Sequence, residues 1–293
     1  MIVTEKSLRR TSLMDFLSSK KISVSLVVIT FFVIAGLTAP YIAPHDPTKQ
    51  SLDKANLPPI WVEGGDPKYL LGTDSLGRDI LSRLLHGASV ALYVSITATC
   101  IVSSVGTLLG LLAGYIRGKF DELLMRIIDI WMSFPPVILA IAFISVLGTG
   151  INNVVLAIAI VDWTRFTRVV RSEVLATREK DFVAAAVTAG FSTNYIIWRE
   201  IFPNILPLII VLSTLEMGIA VAVEVLLSFV GLGVKPTTPS WGTMISDGLL
   251  TFRTNLYAFV FPLLATVVVV LSLNLLGEGI REKLDPKLEV IGK

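Results

Sequence analysis

The run DFVAAAVTAGFSTNYIIWREIFPNILP, Asp181–Pro207, decides how this chain folds. It reads as a short alanine-rich helix, a break at Gly190, a second helical segment ending near Ile201, and two prolines, Pro203 and Pro207, where a long apolar stretch begins. Alanine is the best helix former and glycine among the worst, which places the break at Gly190. A compact helix-turn-helix is expected here. The small side chains of Ala184, Ala185 and Ala186 would let such an elbow seat deeply in a groove of a partner; an ordinary amphipathic loop helix is the plainer alternative.

Working outward, apolar segments flank this elbow on both sides and recur along the chain, at about 22–43, 89–115, 127–147, 151–168, 205–230 and 257–277. Each is long enough, or nearly so, to cross ~30 Å of hydrocarbon at 1.5 Å per residue. Composition agrees: 53% of the 293 residues are hydrophobic and 16% charged, against roughly 25% charged in a soluble domain. Mean hydropathy is +0.75. The sequence predicts an all-α, polytopic membrane protein of six spans, and lipid is its first partner.

The fourth segment carries Asp162, Arg165 and Arg168, followed by Arg171. A charge at the bilayer centre costs ~2.5–3.5 kcal/mol on insertion scales, so these residues are expected at a solvated, interfacial helix end. Arg126 and Asp129 are spaced for an i,i+3 pair worth ~0.2–0.5 kcal/mol. Trp163, Trp198 and Trp241 are expected at membrane interfaces, where indole rings are favoured.

Charge sets the orientation. With the N-terminus inside, the outer segments hold Lys49, Lys54, Lys68, Arg78, Arg83, Lys235 and Arg253, and the other 18 of the 25 Lys and Arg residues fall inside. That asymmetry puts both termini in the cytoplasm. The expected organisation is a cytoplasmic segment 1–21, a first span 22–43, an extracytoplasmic segment 44–88, a five-helix core 89–280 containing the inner connection 169–204, and a tail 281–293. The basic start before the first apolar run could pass for a signal peptide. An uncleaved span is the preferred reading, because the run is long and no small-x-small cleavage site follows it.

Several chemistries are disfavoured. Net charge is only +2, which gives no reason to expect nucleic acid. Cys100 is the single cysteine, and His45 and His86 lie outside metal-ligand spacing, so no metal site is expected. No H-E-x-x-H motif or other nucleophile-and-base arrangement suggests catalysis. The stretch Gly114–Lys119 approaches a phosphate loop, but its glycines are one residue too close and Phe120 stands where Ser or Thr must bind magnesium. If ATP drives this protein, another chain binds it.

Two patterns remain. Gly106, Gly110, Gly114 and Gly118 form a stripe at four-residue spacing where a second helix can approach closely. Glu216 and Glu224 lie within the fifth segment, and carboxylates at membrane depth usually face a bundle interior or water. Glu216 is a candidate for the translocation interface, with a structural partner on a neighbouring helix as the alternative; Glu224 fits a packing or gate role better.

The elbow resembles the cytoplasmic coupling loop of ATP-binding-cassette importer permeases, in which Glu-Ala-Ala is followed by three residues, Gly, and later Ile-x-Leu-Pro or similar. Ala185, Ala186, Gly190, Ile201 and Pro203 match, while Ala184 occupies the glutamate position, with Glu179 and Asp181 nearby. Further blocks are similar to the C-type permeases of dipeptide and oligopeptide importers: Leu71–Gly87, Gly110–Pro135, Glu224–Gly242 and Asn274–Pro286, with Ser89 where many relatives carry arginine. The resemblance implies a type I importer permease fold and a partner set of a second homologous permease, two ATPase subunits that bind ATP and magnesium, and an extracytoplasmic solute-binding protein. It implies no cofactor in this chain, a bacterial inner-membrane location, and di- or oligopeptide cargo, with nickel, a metallophore or another small solute as alternatives. Because force would pass through residues 181–203, a bulky replacement at Gly190 is expected to be badly tolerated. An ion-gradient-driven secondary transporter is the rival class, but no inverted repeat is visible and the elbow would then have no purpose.

Overall fold

The computed structural model describes residues 19–235 and 237–284, and all its regular elements there are helical apart from an isolated bridge between Thr73 and Asp79. Helix α1, Lys20–Ile42, is an apolar rod with Pro40 in its last turn. Helix α2, Ile80–Ile116, begins where the Asp79 carboxylate accepts the backbone N–H of Ser82 at 2.9 Å. It ends at Arg117 and Gly118, two residues with φ of +61° and +71°, which stop the helix and turn the chain.

Helix α3, Gly118–Met132, and helix α4, Pro136–Leu147, follow. They meet at an 89° bend over Ser133–Pro135. Pro135 and Pro136 cause it: the residue before a proline is pushed out of the helical region, and Pro136 has no N–H to donate but suits the first helical position. Helix α5 spans Ile151–Arg178 and helix α6 spans Asp181–Thr188. Helix α7, Thr193–Phe229, widens into a π turn over Ile196–Ile201, immediately ahead of Pro203. Helix α8, Trp241–Leu250, opens with a reciprocal cap between Ser240 and Thr243. Helix α9, Tyr257–Leu284, completes the described chain.

Four helices, α1, α2, α7 and α9, are long and apolar enough to cross a membrane, and the bent pair α3–α4 makes a fifth if it is one span. The count of six therefore needs two qualifications. The segment 127–147 is not one straight span but straddles the bend. The segment 151–168 is the first part of α5, long enough to cross at 28 residues but too charged to be recognised by composition.

α2 and α5 form the central pair. A Cβ added at Gly106, Gly110 or Gly114 would lie 2.8 Å from Phe166, 2.8 Å from Val170 and 2.7 Å from Val174 respectively, so side chains of α5 fill notches left by the glycines of α2. Gly118 does not belong to that stripe: nothing lies within 4 Å of its absent Cβ, and its positive φ assigns it to the turn. On the other side of α2, Ser89 Oγ donates to the carbonyl of Gly36 in α1 at 2.6 Å. Serine at this position therefore ties two helices together.

Candidate translocation site and coupling elbow

The bend between α3 and α4 cradles a cavity of about 300 Å³, closed by α5 and α7. Its walls are mostly apolar, with Trp131, Phe134, Val137, Ile219 and Val223 among them, but Asp162 and Arg165 of α5 also line it. The Trp131 indole N–H donates to the carbonyl of Ile160 at 3.0 Å, locking the bent pair onto α5.

The charges of α5 are drawn into ion pairs across helices, while the side chains of Arg165 and Arg168 stay 44% and 40% exposed. Arg165 pairs with Glu216 of α7, Arg168 with Asp129 and Arg171 with Asp121, both of α3. Three arginines at three-residue spacing lie along one side of a helix, and each finds an acid on a neighbouring element. Asp129 thus pairs across helices with Arg168 and not within α3 with Arg126. Sequence spacing could not show this, because the pairing partners lie 39 to 51 positions apart.

Glu216 is 1% exposed and does not itself line the cavity, whereas its ion-pair partner Arg165 does. Its second carboxylate oxygen, Oε1, is buried without a hydrogen-bond donor. Glu224 is equally buried but belongs elsewhere: Ser228 Oγ donates to it at 2.7 Å, and the same hydroxyl accepts the backbone N–H of Val234 at 3.3 Å. That arrangement fastens the chain leaving α7 ahead of α8, and Gly233 is essential to it, since a Cβ there would fall 2.1 Å from Ser228 Oγ. The two glutamates of α7 therefore have different partners, Arg165 of α5 for Glu216 and Ser228 of α7 itself for Glu224. Trp241, expected at an interface, is instead a core residue, 3% exposed, with its indole N–H donating to the carbonyl of Leu84 at 3.0 Å.

At the elbow, Asp181, Ala184 and Ala185 are exposed while Ala186 and Ile201 are buried. Ala186 and Ile201 share a cluster with Val183, Ile196 and Ile197, so the two arms of the elbow hold each other. Pro203 is exposed at the root of α7. Gly190 has φ of +81° and nothing within 4 Å of its absent Cβ. Its constraint is backbone conformation, which any side chain strains; bulk is not limited by this chain. The exposed side carries Val187, Phe191, Tyr195 and Trp198, with Phe191 and Tyr195 stacked at 4.4 Å. Beneath α6 lies a cleft of about 770 Å³, where Arg178 donates to the carbonyl of Tyr115 at 2.8 Å and lies 5.4 Å from its ring, joining the ends of α5 and α2.

A charge network at the opposite end was not foreseen from the sequence. Arg78 Nε donates to Asp74 at 2.6 Å and its Nη2 to Asp247 of α8 at 2.7 Å. Arg83 of α2 lies 3.6 Å and 3.8 Å from the same two acids with a side chain 4% exposed. Asn255 Nδ2 donates to the carbonyl of Thr73 at 2.7 Å, a second tie between the 44–79 segment and the α8–α9 hairpin. In the same segment, hydrogen bonds from Thr48 hold the Asp46 carboxyl below the usual carboxylate range, and the backbone N–H of Lys68 does so for Asp66. No motif flags this network, because Asp247 is far from Arg78 in sequence.

A bundle of long apolar helices with a bent helix pair around a cavity and a helical elbow at one end defines a polytopic membrane transport protein. Comparison with known proteins agrees. Residues 106–290 match the family described as binding-protein-dependent transport system inner membrane component, and residues 7–59 match the N-terminal TM domain of oligopeptide transport permease C. The chain is similar to a di/tripeptide transport system permease protein of Pseudomonas aeruginosa, 40% identical over 90% of this chain and 87% of the relative. A dipeptide transport system permease protein of Haemophilus influenzae is 37% identical over 91% and 90%. A glutathione transport system permease protein of Escherichia coli is 41% identical over 90% and 86%. This chain belongs to the binding-protein-dependent transport permease family. It is a multi-pass membrane permease subunit of an ATP-binding-cassette importer, and membership implies an ATPase and a binding protein as partners.

Proposed function

We propose that this chain is one of two homologous permease subunits of an importer that moves di- or oligopeptides across the bacterial inner membrane. Its elbow, Asp181–Pro203, docks on one of two ATPase subunits, which bind ATP and magnesium in its place. Both termini then lie in the cytoplasm, and the 44–79 segment faces the solute-binding protein. The observation that carries this reading is the elbow itself. Ala184 and Ala185 offer a bare helical face, and Val187, Phe191, Tyr195 and Trp198 stand exposed beside it on a loop that would otherwise meet water. Exposed apolar patches of this kind mark interaction surfaces.

Alternating access follows. Closure of the ATPase pair moves the elbow as a rigid body, because Val183, Ala186, Ile196, Ile197 and Ile201 pack its two arms into one unit. The movement enters α7 through the π turn and reaches Glu216 and the bent pair through the Arg165, Arg168 and Arg171 ion pairs. Cargo passes the cavity side of α5 and α7, with Glu216 at the pathway and Glu224 holding the connection to α8. The similarity to di/tripeptide and dipeptide permeases supports the peptide assignment.

The test is reconstitution. Labelled dialanine should accumulate in vesicles only when ATPases, both permeases and binding protein are present with ATP. Ala185→Trp should leave the chain inserted and folded while lowering uptake at least tenfold. Uphill uptake by this chain alone on an ion gradient would overturn the reading, as would full uptake by Ala185→Trp.

A further inference from the structure

Lys21 at the start of α1 pairs with Glu282 at 2.7 Å and Glu278 at 3.3 Å near the end of α9. A Cβ added at Gly279 would lie 2.7 Å from Ile22, and Phe32 and Val269, ten residues further along each helix, share one core cluster. The two helices are therefore antiparallel and in fixed register. From Ile22 to Tyr41, and from Gly279 to Phe261, each rises about 28 Å at 1.5 Å per residue, close to the ~30 Å of bilayer hydrocarbon. Tyr41 and Phe261 thus mark one boundary of the apolar layer and the Lys21 cluster marks the other. Between these levels α9 exposes Leu264, Val268, Leu271 and Leu275, which share a face with Phe261 at alternating three- and four-residue spacing.

The loop 58–65 comes down onto that boundary. Trp61 meets Phe261 edge to face, with ring centroids 6.3 Å apart, and Phe261 stacks on Tyr257 at 5.8 Å. Trp61 is nevertheless 62% exposed and the adjacent Ile60 43%. A stiff turn holds them out: the backbone N–H of Ile60 donates to the carbonyl of Leu70 at 3.2 Å, that of Val62 to Pro59 at 2.9 Å and that of Gly65 to Val62 at 3.0 Å. Gly65 has no room for a Cβ, which would fall 2.5 Å from the Pro59 carbonyl oxygen. Glu63, two residues after Trp61, is exposed and keeps the tip from going deep. An indole beside a charge suits the boundary between headgroups and acyl chains, where its ring meets hydrocarbon and its N–H stays near water.

We propose that the loop 58–65 is a membrane anchor, with Ile60 and Trp61 inserted at the headgroup–acyl boundary so that the 44–79 segment is held at a fixed height over the bundle. Lipid is the occupant that the level selects: Trp61 lies beside the second turn of α9, in line with its exposed apolar face, and not above the helix end where a soluble protein would sit. That this leaflet is the outer one rests on the orientation proposed above; the contact with lipid does not.

The experiment uses the assembled transporter in lipid nanodiscs. Cys100→Ser removes the exposed native cysteine, and that transporter, treated with dye, is the blank. Trp61→Cys and Val268→Cys in this background each carry a nitrobenzoxadiazole. Val268 is seven residues beyond Phe261 on α9 and so about 10 Å deeper. A phosphatidylcholine with a nitroxide on its headgroup should quench the label at 61 about twofold more than the label at 268, and one with the nitroxide midway along its acyl chain should reverse the order. Should Trp61→Cys fail to assemble, Ile60→Cys gives the same reading with Trp61 in place.

Quenching at 61 by aqueous iodide as complete as for free dye, with no response to either lipid, overturns the anchor. A label silent to lipid and iodide alike also overturns it, since the second permease would then cover Trp61, and so does a lipid response that saturating binding protein abolishes. Sidedness is read separately from the blocking of Lys68→Cys in intact cells by sulfonatoethyl methanethiosulfonate, which does not cross the inner membrane. Lipid quenching without that blocking rejects the orientation and leaves the anchor; blocking without lipid quenching rejects the anchor alone.

Discussion

The cap end of the molecule, residues 44–79 with the α8–α9 hairpin, and the elbow end, α6 with the start of α7, are built on opposite principles. At the cap, two buried guanidiniums, Arg78 and Arg83, are matched by Asp74 and Asp247, and main chain presses on main chain so closely that Gly77 has no room for a Cβ, which would lie 1.8 Å from the Ser51 carbonyl. At the elbow, the outward residues touch little, Gly190 borders open space, and the nearby Arg117–Glu179 pair is long at 3.9 Å and exposed on both sides. One end matches its buried charges within the chain. The other leaves an apolar surface uncovered by this chain.

The comparison breaks most sharply at Arg78. Arg78→Ala leaves the buried Asp74 against a weaker, more distant guanidinium, and loss of one member of a buried pair costs about 3–5 kcal/mol. Thermal unfolding of the detergent-solubilised transporter should fall accordingly, and little complex should survive purification.

Next comes a matched pair of glycines. Gly77 and Gly190 share a left-handed backbone, with φ of +71° and +81°. Gly77→Ala suffers both that strain and collision with the Ser51 carbonyl, an expected loss of about 2–3 kcal/mol. Gly190→Ala carries the conformational strain alone, about 1–2 kcal/mol. Gly190→Trp should unfold at the same temperature as Gly190→Ala within a degree or two, since nothing lies near the new side chain. A clear further loss for tryptophan would show that the elbow is enclosed and not open.

The smallest effect belongs to Arg117. Arg117→Ala removes an exposed pair of a kind worth about 0–1 kcal/mol, so the unfolding curve should not move measurably, and salt should make no difference. Together these variants grade the molecule from its charge-matched end to its open one.

The two glycine patterns also show how far the sequence carries. Spacing alone identified the notches at Gly106, Gly110 and Gly114, because four-residue repeats must share a helix face. The same spacing wrongly enrolled Gly118, which differs only in lying past the end of α2. Whether a helix continues depends on Pro, Gly and capping chemistry that periodicity does not weigh. The elbow was equally legible, since a glycine break followed by prolines is a local signal, whereas the reason for Gly190 was not: crowding is a property of space and not of sequence.

By itself, then, the sequence determined what depends on composition and local order: a helical membrane protein, the elbow at Asp181–Pro207, the closely packed stripe of α2, and the choice of Glu216 as a residue to watch. Tertiary structure alone decided the pairing of charges. Arg165 finds Glu216, Arg168 finds Asp129, Arg171 finds Asp121 and Arg78 finds Asp247 only after helices far apart in the chain are brought side by side. Electrostatic interaction falls with distance through space, and a linear sequence records distance only along the chain.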